Sequence, residues 1–326
     1  MKLIVTLSFV IDNKYKPMIA LTGYTGFIGQ KLLAQLNQNE CLLLGRNKLN
    51  NNYRFCGLDL RFINTLDAVE SLKSVETLIH LAARVHVMKE TTPDPLAEFR
   101  AMNTHATLEI AKQAAQAGVK RFIFLSTIKV NGEKTTNNLG FTAQDKPAPQ
   151  DAYAISKAEA EQHLILLGKQ TGMEIVIIRP PLVYGEGVKA NFASLMSMVG
   201  KKLPLPFRLI NQNKRSLLSV YNLIDLITVC IKHPKAANQV FLACDDNDLS
   251  TAEIIALMAK VQNKKNMALP VPVWCITLVG ALFNQNSAVK RLTGSLQIDI
   301  SHTKNTLGWT APYSVEHGFQ LAAKQK

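Results

Sequence analysis

A glycine-rich turn between a short apolar run and a helical pattern constrains the fold of this chain more than any other feature. Residues 18–22 are mostly apolar and lead into Gly23, and Gly26 and Gly29 follow at intervals of three. Residues 27–36 then carry apolar side chains at helical spacing. A strand–turn–helix unit of this kind needs glycine where the backbone turns sharply and where the helix packs closely on the strand. The sequence therefore predicts the first unit of a parallel α/β sheet.

Alternating strand and helix patterns continue through the first half of the chain. Apolar runs typical of strands lie at residues 41–44, 53–56, 77–81, 120–125 and 174–178, with helical patterns at 95–117 and 151–167. This order is the pattern of a parallel sheet with helices on both faces. We therefore predict an α/β fold, a doubly wound parallel sheet of the Rossmann type with a smaller C-terminal α/β domain.

The regular alternation stops after the sixth strand pattern, where prolines interrupt the chain. We interpret residues 1–17 as an N-terminal extension, 18–180 as the sheet domain and 181–326 as a second, discontinuous domain. Residues 216–245 carry a helical pattern and then a strand pattern, and we expect them to rejoin the sheet domain. The apolar segment 273–283 follows two prolines and is expected to form a partly buried helix.

The chain is basic, with 37 Lys and Arg against 24 Asp and Glu and a net charge of +13. Its cations occur singly or in short pairs, without a long basic block and without the interleaved aromatic residues of many nucleic-acid-binding proteins. We therefore expect a solvated basic surface, some of whose cations bind a phosphate-bearing substrate, and no nucleic-acid partner. No apolar run approaches the roughly 20 residues of a membrane-spanning helix, so no membrane insertion is expected.

The five cysteines lie far apart and are mostly set in apolar runs; they are Cys41, Cys56, Cys230, Cys244 and Cys275. Their number is odd, and no pair has the close spacing of a zinc site or a redox motif. We therefore expect buried, reduced thiols, no metal site and a cytoplasmic protein.

The glycine turn is typical of a dinucleotide-binding site. One glycine makes the turn, one lets the backbone approach the pyrophosphate, and one packs the helix against the sheet. The alternative is a strand–helix turn that holds no ligand. The predicted cofactor contacts at the strand ends are Gly23, Tyr24, Thr25, Gly26, Phe27, Ile28, Gly29, Asp59, Leu60, Leu81, Ala82 and Ala83. Of these, Asp59 is equally compatible with a role as a helix N-cap.

The end of the second strand pattern bears on the choice of cofactor. An acidic residue there binds the ribose 2′-hydroxyl of NAD, whereas an arginine accommodates the 2′-phosphate of NADP. This chain has Arg46 and Lys48 and no acidic residue at that point. Arg46 therefore favours NADP(H), with NAD(H) as the alternative.

Tyr153 and Lys157 are four residues apart in a helical pattern and so share a helix face. A tyrosine with an ordinary pKa of about 10 is a poor base at neutral pH, and a nearby ammonium group makes its phenolate easier to form. A strand pattern ending in Ser126 and Thr127 precedes this helix and offers a hydroxyl for a substrate oxygen. The pattern indicates proton transfer by Tyr153 coupled to hydride transfer. The alternative is an ordinary surface pair.

Taken together, these motifs resemble the extended short-chain dehydrogenase/reductases of the NAD-dependent epimerase/dehydratase type. The resemblance covers nearly the whole chain and includes the glycine turn, His80–Ala83, Asn103, Ser126–Thr127, Tyr153–Lys157 and Arg179–Gly185. It implies a Rossmann domain and a C-terminal domain that binds a nucleotide-diphosphate sugar, in a protein that is often a homodimer.

The resemblance also assigns roles to individual residues. Thr127, Tyr153 and Lys157 would be catalytic, and Thr127 and Tyr153 would contact the substrate as well. Further cofactor contacts would be Asn103, Ser126, Tyr153, Lys157 and Pro180. Further substrate contacts would be Arg84, Asn191, Leu205 and Arg215, with His86 either touching the sugar or serving a structural role.

One departure from the family pattern and three segments that resemble one branch narrow the subfamily. Nucleotide-sugar dehydratases of this family carry an Asp-Glu pair directly after the catalytic threonine, where this chain has Ile128 and Lys129. Elimination would therefore lack its acid and base. The segments 83–87, 129–133 and 294–299 look most like the bacterial branch related to UDP-glucose 4-epimerase, in which some members reduce a UDP-4-keto-6-deoxy-N-acetylhexosamine to UDP-N-acetylquinovosamine.

The favoured hypothesis is an NADP(H)-dependent reductase of a UDP-4-keto-6-deoxy-hexosamine at C4, serving surface polysaccharide biosynthesis. The alternative enzyme is a UDP-sugar 4-epimerase with tightly bound NAD. A third hypothesis is a catalytically silent nucleotide-binding scaffold, although such proteins usually lack the tyrosine or the lysine that this chain retains at Tyr153 and Lys157.

Overall fold

A parallel sheet forms the centre of the molecule. The computed structural model describes residues 19–49, 52–65, 68–85, 92–136, 139–188, 190–283 and 285–324. In these ranges the sheet has seven strands, which are β1 Ile19–Thr22, β2 Cys41–Gly45, β3 Arg54–Gly57, β4 Thr77–His80, β5 Arg121–Leu125, β6 Glu174–Arg179 and β9 Gln239–Leu242. Their order across the sheet is β3-β2-β1-β4-β5-β6-β9. The predicted doubly wound α/β sheet is confirmed.

The central strands are buried on both faces, which explains their continuous apolar sequences. In β1 all four residues are buried, and Ile19 lies beside Cys41 of β2 on one side and Thr77 of β4 on the other. The chain therefore forms β2 and β3 on one side of β1 and then crosses to form β4 on its other side. In open α/β sheets a ligand crevice forms at such a reversal of strand order, outside the carboxyl ends of the strands.

Helices cover both faces of the sheet and build the C-terminal part of the molecule. They are α1 Phe27–Leu33, α2 Val69–Leu72, α3 Pro95–Arg100, α4 Ala106–Gln116, α5 Ala152–Thr171, α6 Ala190–Gly200, α7 Val220–Lys232, α8 Thr251–Val261, α9 Val273–Leu282, α10 Asn286–Thr293, α11 Ser301–Leu307 and α12 Val315–Ala323. Between α3 and α4, residues Ala101–His105 form a π-helical turn, where the 3.6-residue periodicity predicts one regular helix over 95–117.

A second, smaller sheet pairs β7 Leu182–Tyr184 with β8 Leu217–Ser219 in parallel. Next to it, Tyr184 stacks on Phe192 and Phe319 meets both rings edge-on, in a separate apolar cluster with α6, α8 and α12. The helix α7 packs against α1 and β5, and β9 pairs with β6 in the main sheet. The division into residues 18–180, 216–245 and 181–326 stays a proposal, and the predicted extension 1–17 lies outside the described residues.

The helix α9 has most of its side chains in solvent. Of its residues only Ile276 and Gly280 are buried, so the apolar sequence that predicts a partly buried helix is largely uncovered. In the part of the chain that the structure describes, no helix combines the length and apolarity needed to cross a membrane.

Candidate active site

The glycine turn brings three backbone segments into close approach. Gly23 has a φ of +69°, and a Cβ there would lie 2.6 Å from the backbone nitrogen of Ala82. A Cβ on Gly29 would lie 2.2 Å from the carbonyl oxygen of Gly23. Side chains are therefore excluded at both positions, because the start of α1 and the end of β4 each pack directly on the turn. The same closeness leaves backbone exposed to a ligand above the sheet.

This turn is one wall of a cavity of about 520 Å³ at the carboxyl ends of β1, β2 and β4. That volume is within the usual range for small-molecule sites, about 300–1,000 Å³. Predicted cofactor residues that line it are Gly23, Tyr24, Thr25, Gly26, Phe27, Ile28, Gly29, Arg46, Asp59, Leu60, Leu81, Ala82 and Ala83. Lining residues that the sequence reasoning missed are Leu44, Gly45, Asn47, Leu58, Arg61, Val85 and Met102.

One end of the cavity carries a carboxylate and two cations. The Arg61 Nε donates to both carboxylate oxygens of Asp59, at 3.0 and 3.1 Å. The hydrogen bond to Arg61, with a smaller contribution from Arg46, lowers the pKa of Asp59 to about 2. Asp59 Oδ1 also accepts from the Arg61 backbone nitrogen at 3.1 Å, so the carboxylate both faces the cavity and shapes its own loop. The position of Arg61, two residues after Asp59, is a signal that could have identified it.

Tyr153 and Lys157 lie in the first turns of α5, whose N-cap is Asp151. The Asp151 carboxylate accepts from the Ala154 nitrogen at 2.7 Å and so fixes the start of the helix. Tyr153 is half-buried, with its ring edge-on to Phe99 at a centroid distance of 6.0 Å. Desolvation, and then the nearby Asp151 carboxylate, raise the pKa of the Tyr153 hydroxyl. A positive charge beside the ring is therefore needed before this hydroxyl can take up or release a proton near neutral pH.

Lys157 is almost fully buried at the carboxyl end of β5. Its Nζ donates to the Leu125 carbonyl oxygen at 2.9 Å and lies 4.2 Å from the centroid of the Phe124 ring. Burial lowers the pKa of Lys157 to about 7, and the Glu161 carboxylate acts in the opposite direction. Lys157 therefore gains or loses its positive charge near neutral pH.

The two hydroxyls after β5 have different surroundings. Thr127 is at the edge of burial, and its Oγ1 accepts from the Lys129 nitrogen at 3.3 Å, which leaves the hydroxyl hydrogen available. Ser126 is buried and donates to the Glu161 carboxylate. The Thr127 hydroxyl hydrogen thus has no acceptor committed by this contact, whereas the Ser126 hydroxyl is already bonded to a buried carboxylate.

Behind the site lies a buried ion pair that the sequence reasoning missed. Arg179, at the end of β6, donates its Nε to both carboxylate oxygens of Glu161, at 3.0 and 3.1 Å. The side chains are 5% and 4% exposed. Arg179 also donates to Asn131 Oδ1 at 2.9 Å. Glu161 follows Lys157 by one helical turn, and that spacing is the only local signal for its role.

Asn103, in the π-helical turn, ties the loop after β4 to the helix α5. Its Oδ1 accepts from the Arg84 nitrogen at 2.8 Å, and its Nδ2 donates to the Arg84 oxygen at 3.0 Å and to the Ser156 Oγ at 3.1 Å. Ser156 in turn donates to the Tyr153 carbonyl oxygen at 2.8 Å. Asn103 therefore positions the cavity wall relative to the tyrosine helix. The Arg84 guanidinium lies over the Phe99 ring, 5.5 Å from its centroid.

The predicted substrate contacts of the C-terminal half lie on separate elements. Asn191 is exposed near the start of α6, and Leu205 is buried in the cluster around Tyr184. The Arg215 Nη1 donates to the carbonyl oxygens of Arg291 and Gly294, at 2.8 and 3.1 Å. These three residues are outside the described lining of the cofactor cavity.

Pro180 lies behind the site, next to the segment that follows the predicted catalytic threonine. Pro180 is buried and accepts from the Ile128 nitrogen at 2.9 Å, and His86 lies outside the described residues. Where dehydratases carry acidic residues, Ile128 is buried and the Lys129 ammonium pairs with the Asp151 carboxylate. The two residues at these positions therefore carry no carboxyl group of their own for an elimination.

This chain is similar to known proteins both in sequence and in fold. A UDP-glucose 4-epimerase of Vibrio cholerae is 49% identical over 317 residues, which cover 96% of each chain. Among solved structures, the UDP-glucose 4-epimerase of Thermotoga maritima with UDP-glucose has a TM-score of 0.75 at 20% identity and covers 94% and 97% of the two chains. The UDP-glucuronic acid 4-epimerase of Bacillus cereus with NAD has a TM-score of 0.73 at 19% identity, with the same coverage.

These relatives support the enzyme class and the predicted resemblance, whereas the preferences for a reductase and for NADP(H) gain no support from them. The family model described as the NAD dependent epimerase/dehydratase family matches residues 19–244, more than half of the chain. The protein is therefore an enzyme and belongs to the NAD-dependent epimerase/dehydratase family.

Proposed function

We propose that this enzyme is a UDP-sugar 4-epimerase of the UDP-glucose type that uses NAD. The observation that carries the proposal is the 49% identity with the Vibrio cholerae UDP-glucose 4-epimerase over almost the full length of both chains. The cavity beside the glycine turn and the pair Tyr153–Lys157 supply the parts that such an enzyme needs. The epimerase, the alternative in the sequence analysis, thus replaces the reductase as the favoured function.

The cavity fits a dinucleotide on grounds of its own geometry. Gly23 and Gly29 leave no room for a Cβ and expose backbone at the carboxyl ends of the strands. The Asp59 carboxylate and the small residues Ala82 and Ala83 line the space around this turn. When bound there, NAD would supply the hydride acceptor and donor for the sugar C4.

The chain's own residues would move the proton at the sugar O4. Tyr153 would take the proton from the C4 hydroxyl and return it to the same oxygen, so that one side chain serves both directions. Its raised pKa opposes this step, and the ammonium of Lys157, one helical turn away, would favour it. Thr127 would donate a hydrogen bond to O4 and stabilise the charge that develops there.

The C-terminal half would hold the UDP group. Asn191 and Arg215 are proposed contacts to the diphosphate, and Leu205 is proposed to border the nucleobase. The Arg215 Nη1 donates to two backbone carbonyl oxygens, and the N–H groups of its other two nitrogens would donate to a phosphate oxygen, which guanidinium groups bind well. We further propose that the enzyme is a homodimer. A cytoplasmic location is proposed because all five cysteines are free thiols.

One observation favours a second candidate, the NADP(H)-dependent 4-keto reductase. Arg46 and Arg61 both line the end of the cavity near Asp59, and two cations there suit a 2′-phosphate. The two functions differ in what happens to the cofactor, since an epimerase regenerates NAD at each turnover and a reductase consumes NADPH.

The test uses the purified full-length enzyme without added cofactor. Incubation with UDP-glucose should give UDP-galactose, separated by ion-exchange chromatography, and heat denaturation should release NAD. The Tyr153→Phe variant is the control for contaminating epimerase. Absence of any 4-epimer from UDP-glucose or UDP-N-acetylglucosamine, combined with NADPH oxidation by a UDP-4-keto-6-deoxy sugar, would overturn the proposal in favour of the reductase.

A further inference from the structure

The helix α9 is apolar on the side that faces solvent as well as on the side that is buried. Successive residues of a helix are about 100° apart, so Trp274, Leu278 and Leu282 lie opposite the buried Ile276 and Gly280. They are 68%, 55% and 73% exposed. A surface helix ordinarily carries polar side chains on that face. From residue 273 to residue 283 the single hydroxyl side chain is that of Thr277.

The exposed apolar residues continue beyond α9. The Leu269 nitrogen donates to the Leu205 oxygen at 2.8 Å, and the Arg208 nitrogen donates to the Leu269 oxygen at 3.1 Å. The segments 203–209 and 267–269 are thus adjacent, and the latter leads within four residues into α9. The exposed large residues of these segments and of α9, here called the apolar surface, are Leu203, Leu209, Met267, Leu269, Val273, Trp274, Leu278, Val279, Leu282 and Phe283.

Cations predominate in the sequence around the apolar surface, and the carboxylate of Glu253 lies in the groove that Arg208 and Ala268 also line. The stretches 187–224 and 254–298 contain eleven Lys and Arg and no Asp or Glu, which leaves the rest of the chain with almost no net charge. Exposed examples directly beside the apolar surface are Lys201, Lys202, Arg208, Lys264 and Lys265. A further pair, Lys290 and Arg291, is exposed on α10, which packs on the Gly280 side of α9 through Val289.

The combination of exposed apolar side chains and neighbouring cations limits the kinds of partner that fit this surface. Large exposed apolar patches on soluble proteins mark sites of interaction. A second copy of this surface would bring like charges together, and residues 1–17, with three lysines and one aspartate, are also cationic. An anionic bilayer offers both complements, negative headgroups for the cations and acyl chains for Trp, Leu and Phe side chains. At about 1.5 Å per residue α9 is about 15 Å long, half the thickness of the hydrocarbon layer.

We propose that the apolar surface docks this enzyme onto an anionic lipid bilayer, with α9 lying in the plane of the headgroups. The lysines and arginines would approach the lipid phosphates, while Trp274, Leu278 and Leu282 enter the upper acyl region. Burial of apolar side chains and electrostatic attraction to anionic lipids act together in such binding. The affinity therefore depends on both the lipid charge and the salt concentration. The proposal is independent of the sugar nucleotide on which the enzyme acts.

The test is co-sedimentation of the full-length protein with vesicles of phosphatidylcholine containing 30% phosphatidylglycerol. We expect binding at low salt that weakens at 0.5 M salt and is lost with pure phosphatidylcholine. The variant Leu278→Gln/Leu282→Gln should lower the partition coefficient by about tenfold or more, from the area of two leucines. The matched control is Leu139→Gln/Leu182→Gln, which changes two leucines of similar exposure, 71% and 49%, outside the apolar surface; it should bind like the wild type.

Tryptophan fluorescence gives an independent readout. The chain has two tryptophans, and Trp309 is buried with its Nε1 bonded to Asp225 at 2.7 Å. Anionic vesicles should therefore shift the emission of Trp274 to the blue, and Trp274→Phe should abolish the shift. Three results would overturn the proposal: no binding to anionic vesicles at low salt, equal binding of the two double variants, or an oligomer of the free protein that only Leu278→Gln/Leu282→Gln dissociates.

Discussion

The buried pair Glu161–Arg179 should contribute far more to stability than its charge count suggests. Both side chains are about 5% exposed or less, and the guanidinium donates to both carboxylate oxygens. Replacing Glu161 with Gln removes the charge at nearly constant volume and leaves the Arg179 cation buried without a counterion. Breaking a buried pair in this way costs about 3–5 kcal/mol. The measurement is the free energy of unfolding from urea titrations of both proteins.

A matched control lies two residues away on the same helix. Glu159 also accepts from both Nε and Nη2 of an arginine, Arg100, but these side chains are 28% and 42% exposed. Exposed pairs contribute about 0–1 kcal/mol, so Glu159→Gln should lower the free energy of unfolding by no more than that. If the two variants unfold within 1 kcal/mol of each other, burial does not govern the strength of these pairs and the reasoning is refuted.

Other predictions concern the site itself. Tyr153→Phe should lower kcat by about 10²–10⁴-fold through loss of proton transfer, while the NAD content of the purified protein stays unchanged; normal turnover would contradict the assignment. Gly29→Ala should abolish nucleotide retention, because its Cβ would lie 2.2 Å from the Gly23 oxygen, whereas Gly57→Ala, with its nearest neighbour at 3.7 Å, should retain it; the absorbance of the released nucleotide checks both. Lys157 has a pKa of about 7 when folded and about 10.4 when unfolded, so the unfolded state binds more protons between these values and stability should rise with pH there. Lys157→Met should flatten that rise between pH 7 and 9.5 in urea unfolding, and an equally steep rise in the variant would show that other groups cause it.

The features that depend on neighbouring residues were predictable from the sequence. The glycine turn and the pair Tyr153–Lys157 are short motifs whose spacing within one strand–helix unit or one helix determines what they share. The cavity wall could be anticipated because parallel strands end at one edge of the sheet. The Asp59 carboxylate lies at that edge, as the strand pattern indicates.

Other features depend on contacts between distant segments and carry little local signal. Glu161 meets Arg179 across the interface between a helix and a strand, and their residue types alone suggest two exposed charges. The hydropathy of residues 273–283 predicts burial, since it records how apolar a segment is and not what covers it. The choice between reductase and epimerase depends on differences among related enzymes, which a motif shared by all of them cannot express.

The π-helical turn at Ala101–His105 has a consequence for how the chain tolerates insertions and deletions. Such a turn holds one more residue than a regular helical turn, so the segment is one residue longer than a continuous α-helix would be. Deleting one residue there would allow a regular helix to close and would rotate its two halves by about 100° relative to each other. Either Asn103 would lose Ser156, or Thr104 would lose the Ser156 carbonyl oxygen to which it donates at 2.8 Å. The length of this segment, more than its composition, therefore sets the alignment of the tyrosine helix.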